Sequence, residues 1–383
     1  MPLSPRHYEH LGSYSDWADW NLLRLANRPP GKDACADIDD LLDVRADEQP
    51  ADVRVERSWV RDGLAGEELS WSVGYGPRTR AWLLKPVGAA GPLPAVLGLH
   101  GHDGVKFYGK EKIADGPDPV PPAVTALRGD LYEGRAFANA LAAEGNVVLV
   151  TDVFGWGSRR FPLAEMPPVL QRLAGTADVL PEGSADGAPE EFARYNAAAY
   201  HHEHLVEKYC TLLGTTLAAV VSREDRIALS YLQSRPDVTD RIGCVGLSGG
   251  GCRAALLAAT ADRLAAAVVV GMMSTYGELL DHNVISHTWM FLPAGLVRAG
   301  YDWPDLAACR APRPLFVQYN RADPLFPLSG EQAAHEKIRA QYAEAGAVDA
   351  YRGEFYDGPH KFDLAMQADA FGWLRDRLVG APR

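Results

Sequence analysis

A glycine-rich turn at residues 246–251 limits the possible fold of this chain more than any other feature. The apolar run from Ile242 to Val245 predicts a buried strand, and the alanine- and leucine-rich stretch that follows the turn predicts a helix. Ser248 stands between them, where glycine neighbours are needed because a Cβ would collide with the adjacent strand or helix. The helix N-terminus offers main-chain N–H groups and a positive dipole end. Such a strand–turn–helix unit predicts a serine nucleophile, although the five-residue pattern alone is compatible with an ordinary turn.

Two later loops offer the acid and the base that activate such a serine. Asp323 follows a predicted strand at 314–319, and His360 follows the last predicted strand, at 350–356. A histidine in that position can reach a serine at the top of the sheet, and the chain order of serine, acid and histidine fits this arrangement. We therefore predict that Ser248, Asp323 and His360 form a catalytic triad.

Other residues near these loops have competing interpretations. Glu354 and Asp357 are rival acids, but the first lies inside a predicted strand and the second occupies a turn. His335 falls within a helical pattern, which predicts a surface position. Pro324 directly follows Asp323, so a turn-forming role for this aspartate is compatible with its role as the acid.

An oxyanion site is predicted where the strand at 94–100 ends in the sequence HGHDG. We expect the main chain near His102 to provide one N–H donor, paired with the N–H of Gly249. Donors fixed in a dry site each contribute roughly a hundredfold or more to the rate. The His100 side chain has two interpretations: it holds the loop by packing, which we favour, or it contacts substrate.

Together these segments resemble the α/β-hydrolase superfamily, and more closely its branch of dienelactone hydrolases and acetyl xylan esterase-related proteins. The residues that carry the resemblance are LHGHDG (99–104), TDVFGWGSRR (151–160), IALSYLQSRPDVTDRIGCVGLSGGG (227–251), APRPLFVQYNRADPLFP (311–327) and GPHKF (358–362). The resemblance covers roughly residues 50 to 380. It implies the α/β-hydrolase fold and ester hydrolysis. It also implies that the loop after the fourth strand of that fold walls the site, with Trp156 as a candidate substrate contact and Asp152 in a structural role.

The remaining pattern fits this fold class: α/β, with a mostly parallel central sheet flanked by helices. Strands are predicted at 52–59, 67–75, 79–85, 94–100, 146–151, 242–246, 266–271, 314–319 and 350–356. The first three look like an antiparallel edge, and the later ones alternate with helices, which favours parallel pairing. Helices are predicted near 130–144, 205–234, 250–261, 329–346 and 363–379.

The domain organisation follows from three segments that interrupt this rhythm. We predict an N-terminal helical extension at 1–50 and a hydrolase domain at 51–383. In the extension, Trp17, Trp20 and Leu23 share an apolar face. We expect this face to pack on the core, with packing on a partner subunit and a place in the active-site wall as alternatives. Within that domain, about 161–209 is predicted to be a cap-like insertion. The segment 274–303 is a candidate substrate wall through Tyr276, His287 and Trp289, with ordinary packing as an equal alternative.

Composition excludes several classes of partner. The net charge is −12 with no clustered basic segment, which argues against nucleic acid, and no run is long enough to span a membrane. The absence of a secretory pattern and the odd count of five cysteines predict free thiols and a cytoplasmic location. The sequence YHHEH at 200–204 lacks metal-ligand spacing, so we expect neither a metal nor a cofactor. The Trp-rich N-terminal segment makes a homodimer plausible.

The sequence therefore predicts a serine esterase that cleaves a carboxylic ester through an acyl-enzyme. A short acyl group is expected, on an acetylated sugar or small metabolite by resemblance. The alternatives are a thioesterase, a lactonase of the dienelactone type, a peptidase, or a non-catalytic scaffold. The sequence leaves open the acyl and alcohol parts, the pathway, the oligomeric state and the segment that forms a lid.

Overall fold

A nine-stranded sheet organises the chain in the computed structural model, which describes residues 8–26, 33–45, 48–175 and 190–379. The strands are β1 (Ala51–Arg61), β2 (Leu64–Ser72), β3 (Thr79–Pro86), β4 (Leu93–Leu99), β5 (Val147–Thr151), β6 (Val238–Leu247), β7 (Ala266–Val270), β8 (Leu315–Asn320) and β9 (Tyr351–Tyr356). Their order across the sheet is β1-β2-β3-β5-β4-β6-β7-β8-β9. The pairs β1–β2, β2–β3 and β3–β5 are antiparallel. All remaining pairs are parallel.

Helices cover both faces of this sheet. They are α1 (Ser15–Ala26), α2 (Ala34–Leu41), α3 (Pro122–Tyr132), α4 (Phe137–Ala143), α5 (Pro168–Leu173), α6 (Glu190–Leu212), α7 (Leu217–Ser234), α8 (Gly249–Thr260), α9 (Tyr276–Leu279), α10 (Trp303–Ala308), α11 (Leu328–Glu344) and α12 (Leu364–Leu378). Every residue of β5, β7 and β8 is buried. Neighbouring residues of one strand belong to different core clusters, as Val268 and Val269 do, because successive side chains point to opposite faces.

This topology brings the predicted site loops together. The parallel strands β4, β6, β7, β8 and β9 share one direction, so their carboxyl ends lie along the same edge of the sheet. The HGHDG loop follows β4, Ser248 follows β6, Asp323 follows β8 and His360 follows β9. In open sheets with parallel strands, ligands bind at this carboxyl edge.

All nine predicted strands are present, but two of the predicted helices are wrong in extent. The single helix expected near 130–144 is two helices, α3 and α4, because Glu133 and Gly134 adopt the left-handed backbone conformation that ends α3. The single helix expected near 205–234 is likewise α6 and α7. The break falls at Gly214, whose φ is 74°, and Thr216 then caps α7 by accepting from the N–H of Ala219.

The N-terminal segment packs through α2 rather than through the aromatic face of α1. Ile38 of α2 is fully buried. By contrast, Trp17 and Trp20 of α1 are 58% and 55% exposed, so the expectation that this face packs on the core is wrong for these two indoles. The division into an extension at 1–50 and a domain at 51–383 stays a prediction. Residues 1–7, 27–32, 46–47 and 380–383 lie outside the described residues, as do 176–189 of the cap-like insertion.

Three further properties of the described residues concern their thiols, metal sites and membrane-spanning helices. All five cysteines are free thiols. No group of three or more His, Cys, Asp or Glu side chains in the described ranges is placed to hold a metal ion. Within these ranges, no single helix has the length and apolarity needed to cross a bilayer; only α6 and α7, which meet at a bend of 88°, reach that measure as a pair.

A buried ion pair joins α7 to α8, the helix that begins behind Ser248. Arg253 and Asp225 have side chains only 1% and 0% exposed, and two hydrogen bonds of 2.9 and 2.6 Å connect them. Arg253 also donates to the carbonyl of His100, at 3.2 Å. The pair therefore fixes α8 against both α7 and the end of β4.

We expect Arg253→Leu to lower the free energy of unfolding by about 3–5 kcal/mol, since it strands the Asp225 carboxylate in the core. Urea denaturation followed by circular dichroism measures the loss. The double variant Arg253→Leu/Asp225→Leu serves as the control and should recover most of it. If the double variant is less stable than the single one, the stranded charge is not the cause.

Candidate active site

Ser248 occupies a strained turn between β6 and α8. Its φ of 57° and ψ of −119° lie in a region that non-glycine residues rarely adopt. Its N–H donates to the carbonyl of Val270, at the end of β7, over 2.9 Å. Its own carbonyl accepts from the N–H of Cys252 at 2.9 Å and so begins the helix. The turn therefore holds the serine side chain, which is partly exposed, at the carboxyl edge of the sheet.

The glycines around Ser248 are required by close main-chain contacts. A Cβ on Gly250 would lie 2.1 Å from the carbonyl oxygen of Leu99, and one on Gly246 would lie 2.5 Å from the same atom. A Cβ on Gly251 would lie 2.6 Å from the carbonyl oxygen of Val270. Main chain cannot yield as a flexible side chain can, so these positions exclude larger residues for the reason that the sequence suggested.

His360 and Asp323 are in direct contact. The Nδ1 atom of His360 lies 2.6 Å from Oδ2 of Asp323, whose side chain is fully buried. The other carboxylate oxygen of Asp323 accepts from the N–H of Leu325 at 2.8 Å. Since Nδ1 faces the carboxylate as a donor, Nε2 of the neutral ring is left as the basic nitrogen.

Ser248 and His360 both lie next to the end of β7. The N–H of Ser248 donates to the carbonyl of Val270, and the next residue, Gly271, lies near the His360 ring. A Cβ on Gly271 would stand 3.4 Å from Cε1 of His360. The fold thus brings a serine, an imidazole and a buried carboxylate to the same edge of the sheet, which is the composition needed for nucleophilic catalysis.

The rival residues are placed elsewhere. The Asp357 side chain is 97% exposed and Glu354 is exposed on β9, so neither contacts the imidazole as Asp323 does. His335 is partly buried rather than on the surface, because its Nδ1 atom bonds the hydroxyl of Tyr351 at 2.8 Å. A residue that the sequence did not single out, Glu331 of α11, is buried, and burial together with the charge of Asp323 raises its pKa to about 8.

The HGHDG loop lies directly against the turn of Ser248. The main-chain nitrogen of His102 is 2.5 Å from the position that a Cβ would take on Gly249. Beneath the loop, the fully buried Lys112 ammonium donates to the carbonyls of Gly101 and His102, at 2.8 and 3.0 Å. The close approach places the main chain of His102 beside that of Gly249, the two predicted oxyanion donors.

Glu203 of α6 is a site residue that the sequence did not reveal. Its buried carboxylate accepts from Nε2 of His102 at 3.1 Å, and it forms an ion pair of 2.5 Å with Lys106. It also accepts from the Thr288 hydroxyl and the main-chain N–H of Trp289, at 2.7 and 2.8 Å. Burial opposes ionisation of Glu203, but the charges of Lys106 and His102 outweigh it and hold its pKa well below the usual value. One carboxylate therefore connects α6, the HGHDG loop and the segment 274–303.

We expect Glu203→Gln to lower the free energy of unfolding by about 2 kcal/mol, because charge-assisted bonds are lost and Lys106 stays buried without a counter-charge. Ester hydrolysis should fall about tenfold as the loop at His102 loosens. Thermal unfolding and steady-state kinetics measure the two effects. Glu191→Gln, at an exposed position on the same helix, is the matched control. Wild-type stability in Glu203→Gln would show that the network does not hold the loop.

The five predicted substrate contacts fall into two groups. His100 and Trp156 are each 1% exposed, which favours the packing interpretation. Burial, with the charges of Arg253 and Lys112, lowers the pKa of His100 well below its usual value and keeps it neutral. Trp156 lies beneath the loop, with its ring 5.4 Å from that of His102 and 4.1 Å from Nζ of Lys106.

The other three predicted contacts belong to the segment 274–303 and are partly exposed: Tyr276, His287 and Trp289. The Tyr276 hydroxyl donates to the carbonyl of Phe291, at 2.8 Å, and Trp289 Nε1 donates to the His204 ring, also at 2.8 Å. The His287 ring packs 4.8 Å from Phe326, which in turn stacks against His360. Burial lowers the pKa of His287 to about 4, so it is neutral at pH 7. Of the five candidates, His287 is the one that Phe326 connects to the His360 imidazole.

Comparisons with known proteins agree with this fold. No family model matches the chain. "Putative hydrolase YtaP" of Bacillus subtilis (strain 168) is 26% identical over 314 residues, which cover 82% of this chain and 88% of that protein. A "putative acetyl xylan esterase" from Bacteroides fragilis NCTC 9343 superposes with a TM-score of 0.66 at 17% identity, covering 90% of this chain and 82% of that one. Acetyl xylan esterase 1 from a Thermoanaerobacterium species gives 0.54 at 16% identity, covering 90% and 94%. The chain has the α/β-hydrolase fold, and the predicted fold class is confirmed.

Proposed function

We propose that this protein is a serine hydrolase of carboxylic esters, with Ser248 as nucleophile, His360 as general base and acid, and Asp323 as the acid of the triad. The observation that carries the proposal is the 2.6 Å contact between His360 and the buried Asp323, beside a serine on a strained turn. Acyl transfer through a serine requires a nucleophile, a base and an acid of this kind.

The geometry supports the following course of reaction. The Ser248 hydroxyl attacks the ester carbonyl while Nε2 of His360 takes its proton, so that a bond forms between Oγ and the carbonyl carbon. Asp323 holds the proton on Nδ1 and stabilises the imidazolium. The imidazolium then protonates the departing alkoxide as the carbon–oxygen bond breaks, which leaves an acyl-enzyme. Water, activated by the same imidazole, releases the acid.

The main-chain N–H groups of His102 and Gly249 are the proposed oxyanion donors. Their close approach supports this assignment, and the start of α8 adds a positive dipole end behind Ser248. Preorganised donors stabilise the negative charge that develops on the carbonyl oxygen, which is commonly the largest single contribution in acyl transfer. Lys112 supports them indirectly, since it holds the carbonyls of the loop beneath the site.

The proposed substrate is a small ester with a short acyl group, and acetylated sugars are the first class to test. Two solved structures with this fold are described as acetyl xylan esterases, which supports that choice. We further propose that 161–209 acts as a cap, because Glu203 of α6 contacts the loop that carries His102. Cytoplasmic location and a homodimer stay predictions.

A substrate series tests the proposed function. The purified protein is assayed with p-nitrophenyl esters from acetate to octanoate, with an acetylated xylo-oligosaccharide, an acyl thioester and a dienelactone. The proposal predicts hydrolysis that depends on Ser248 and is fastest for acetate among the nitrophenyl esters. Faster turnover of the thioester or the lactone would move the assignment to that class, and no Ser248-dependent turnover of any member would contradict it.

A further inference from the structure

Two cysteines that are far apart in sequence meet where α2 packs on the core. Cys35, in the first turn of α2, and Cys309, at the end of α10, are 274 positions apart. The Cys35 thiol donates to the carbonyl oxygen of Cys309, with its Sγ atom 2.7 Å from that oxygen. The contact joins the N-terminal segment to the hydrolase core.

Hydrogen bonds around Cys35 and Cys309 hold these two residues next to each other. Arg310, next to Cys309, donates to both carboxylate oxygens of Asp39, at 2.9 and 2.6 Å. The Tyr301 hydroxyl donates to Asp37 at 2.7 Å. Both bonds fix α2 against the segment that contains α10, so the two cysteines stay next to each other without a covalent link.

The chemistry of the two thiols differs in a way that suits a dithiol pair. The hydrogen bond from Cys309, followed by the positive charge of Arg310, lowers the pKa of Cys35 against the opposing effect of burial. The bond with Cys35 and burial raise the pKa of Cys309. Since the thiolate is the reactive form of cysteine, Cys35 is the better nucleophile of the two.

Accessibility separates this pair from the other cysteines. Cys35 and Cys309 are partly exposed, whereas Cys210, Cys244 and Cys252 are buried, and burial raises the pKa of each of the buried three. A small thiol reagent can therefore reach the pair and is excluded from the others.

We propose that Cys35 and Cys309 are a thiol–disulfide exchange site, which a low-molecular-weight disulfide such as oxidised glutathione converts into an intramolecular disulfide. The Cys35 thiolate attacks one sulfur of glutathione disulfide, forming a mixed disulfide and releasing one glutathione thiolate. Capping Cys35 removes the charge that disfavours ionisation of Cys309. Cys309 then loses its proton to solvent and attacks the Cys35 sulfur, which expels the second glutathione. Two thiols are oxidised and one glutathione disulfide is reduced to two thiols.

The disulfide would tie α2 to the core and thereby restrict the unfolded chain over a long loop. Stabilisation by such a bond comes mainly from this restriction, which increases with loop length. We expect the midpoint of thermal unfolding to rise by about 3 °C or more when the pair is oxidised. Reduction of the disulfide should bring the midpoint back to its original value.

The test compares the full chain with three variants after incubation with oxidised glutathione: Cys35→Ser, Cys309→Ser and, as the matched control, Cys210→Ser. Intact-mass and non-reducing peptide mass spectrometry identify the products. The wild type and Cys210→Ser should lose two hydrogens and yield a peptide pair joined through Cys35 and Cys309. Cys309→Ser should retain one glutathione on Cys35, because the second step is blocked, and Cys35→Ser should remain unmodified at Cys309.

Two results would overturn the proposal. One is a wild type that stays unmodified. The other is a wild type that retains glutathione on Cys35 without forming the disulfide, which would mean that the sulfurs do not reach each other. Neither result depends on ester hydrolysis, so the proposal and the proposed function fail separately. If a serine variant does not fold, the peptide map of the wild type decides the question alone.

Discussion

Ser248→Ala is expected to abolish ester hydrolysis, lowering kcat by about 10⁴-fold or more. Alanine removes the atom that forms the acyl-enzyme, while the oxyanion donors and the binding surface remain. Those remaining groups alone support only a small residual rate over water. The measurement is steady-state hydrolysis of p-nitrophenyl acetate by the wild type and the variant, with thermal unfolding to show that the fold is intact.

The matched control for this prediction is Ser234→Ala. Ser234 ends α7 at the opposite end of the sheet, where its hydroxyl donates to the carbonyl of Tyr231. Its removal should leave kcat within about twofold of the wild type, because it touches neither β7 nor the HGHDG loop. Wild-type turnover in a folded Ser248→Ala variant would place the nucleophile elsewhere.

Asp323→Asn is expected to lower kcat by about 10³- to 10⁴-fold with little change in KM. The amide has nearly the shape of the carboxylate, so the position of the imidazole is kept. Its nitrogen, however, donates to Nδ1, which forces the proton onto Nε2 and leaves no base facing the serine. The lost charge also no longer stabilises the imidazolium. Steady-state kinetics on the same ester measure both parameters.

Asp357→Asn is the control for this substitution, because the Asp357 side chain is 97% exposed and lies three residues from His360. It should retain near-wild-type kcat. If Asp323→Asn were active and Glu331→Gln inactive, Glu331 would be the acid instead. Its buried position near Asp323 makes it the acid to compare, although its raised pKa of about 8 favours the protonated form near pH 7.

Local sequence patterns were sufficient to predict the strands and the turn that carries Ser248. A short apolar run with glycines at its end restricts the backbone by itself. The positions of Asp323 and His360 could be predicted because each follows a recognisable strand. The same reasoning could have found the break between α6 and α7. Gly214 followed by Thr216 is a helix stop followed by a helix start, although it stands within a long apolar pattern that favours a single helix.

The residues that support the site were not predictable in the same way. Glu203, Lys106 and Lys112 act through contacts between segments that are distant in sequence. A charged residue in a helical pattern is most often at the surface, so nothing local distinguishes Glu203 from its neighbours. Trp17 and Trp20 are the opposite case, because they were expected to be buried and are exposed. An apolar face on a helix does not specify what covers it.

The most direct test of the central claim is covalent labelling by a p-nitrophenyl alkylphosphonate, which reacts with an activated serine and mimics the tetrahedral intermediate. Intact-mass and peptide mass spectrometry should show one phosphonyl group per chain, on Ser248, and none on the Ser248→Ala variant. The Asp323→Asn variant should label much more slowly, because the imidazole no longer activates the hydroxyl. A wild type labelled on another residue, or not labelled by a reagent shown to react with a known serine esterase, would contradict the account.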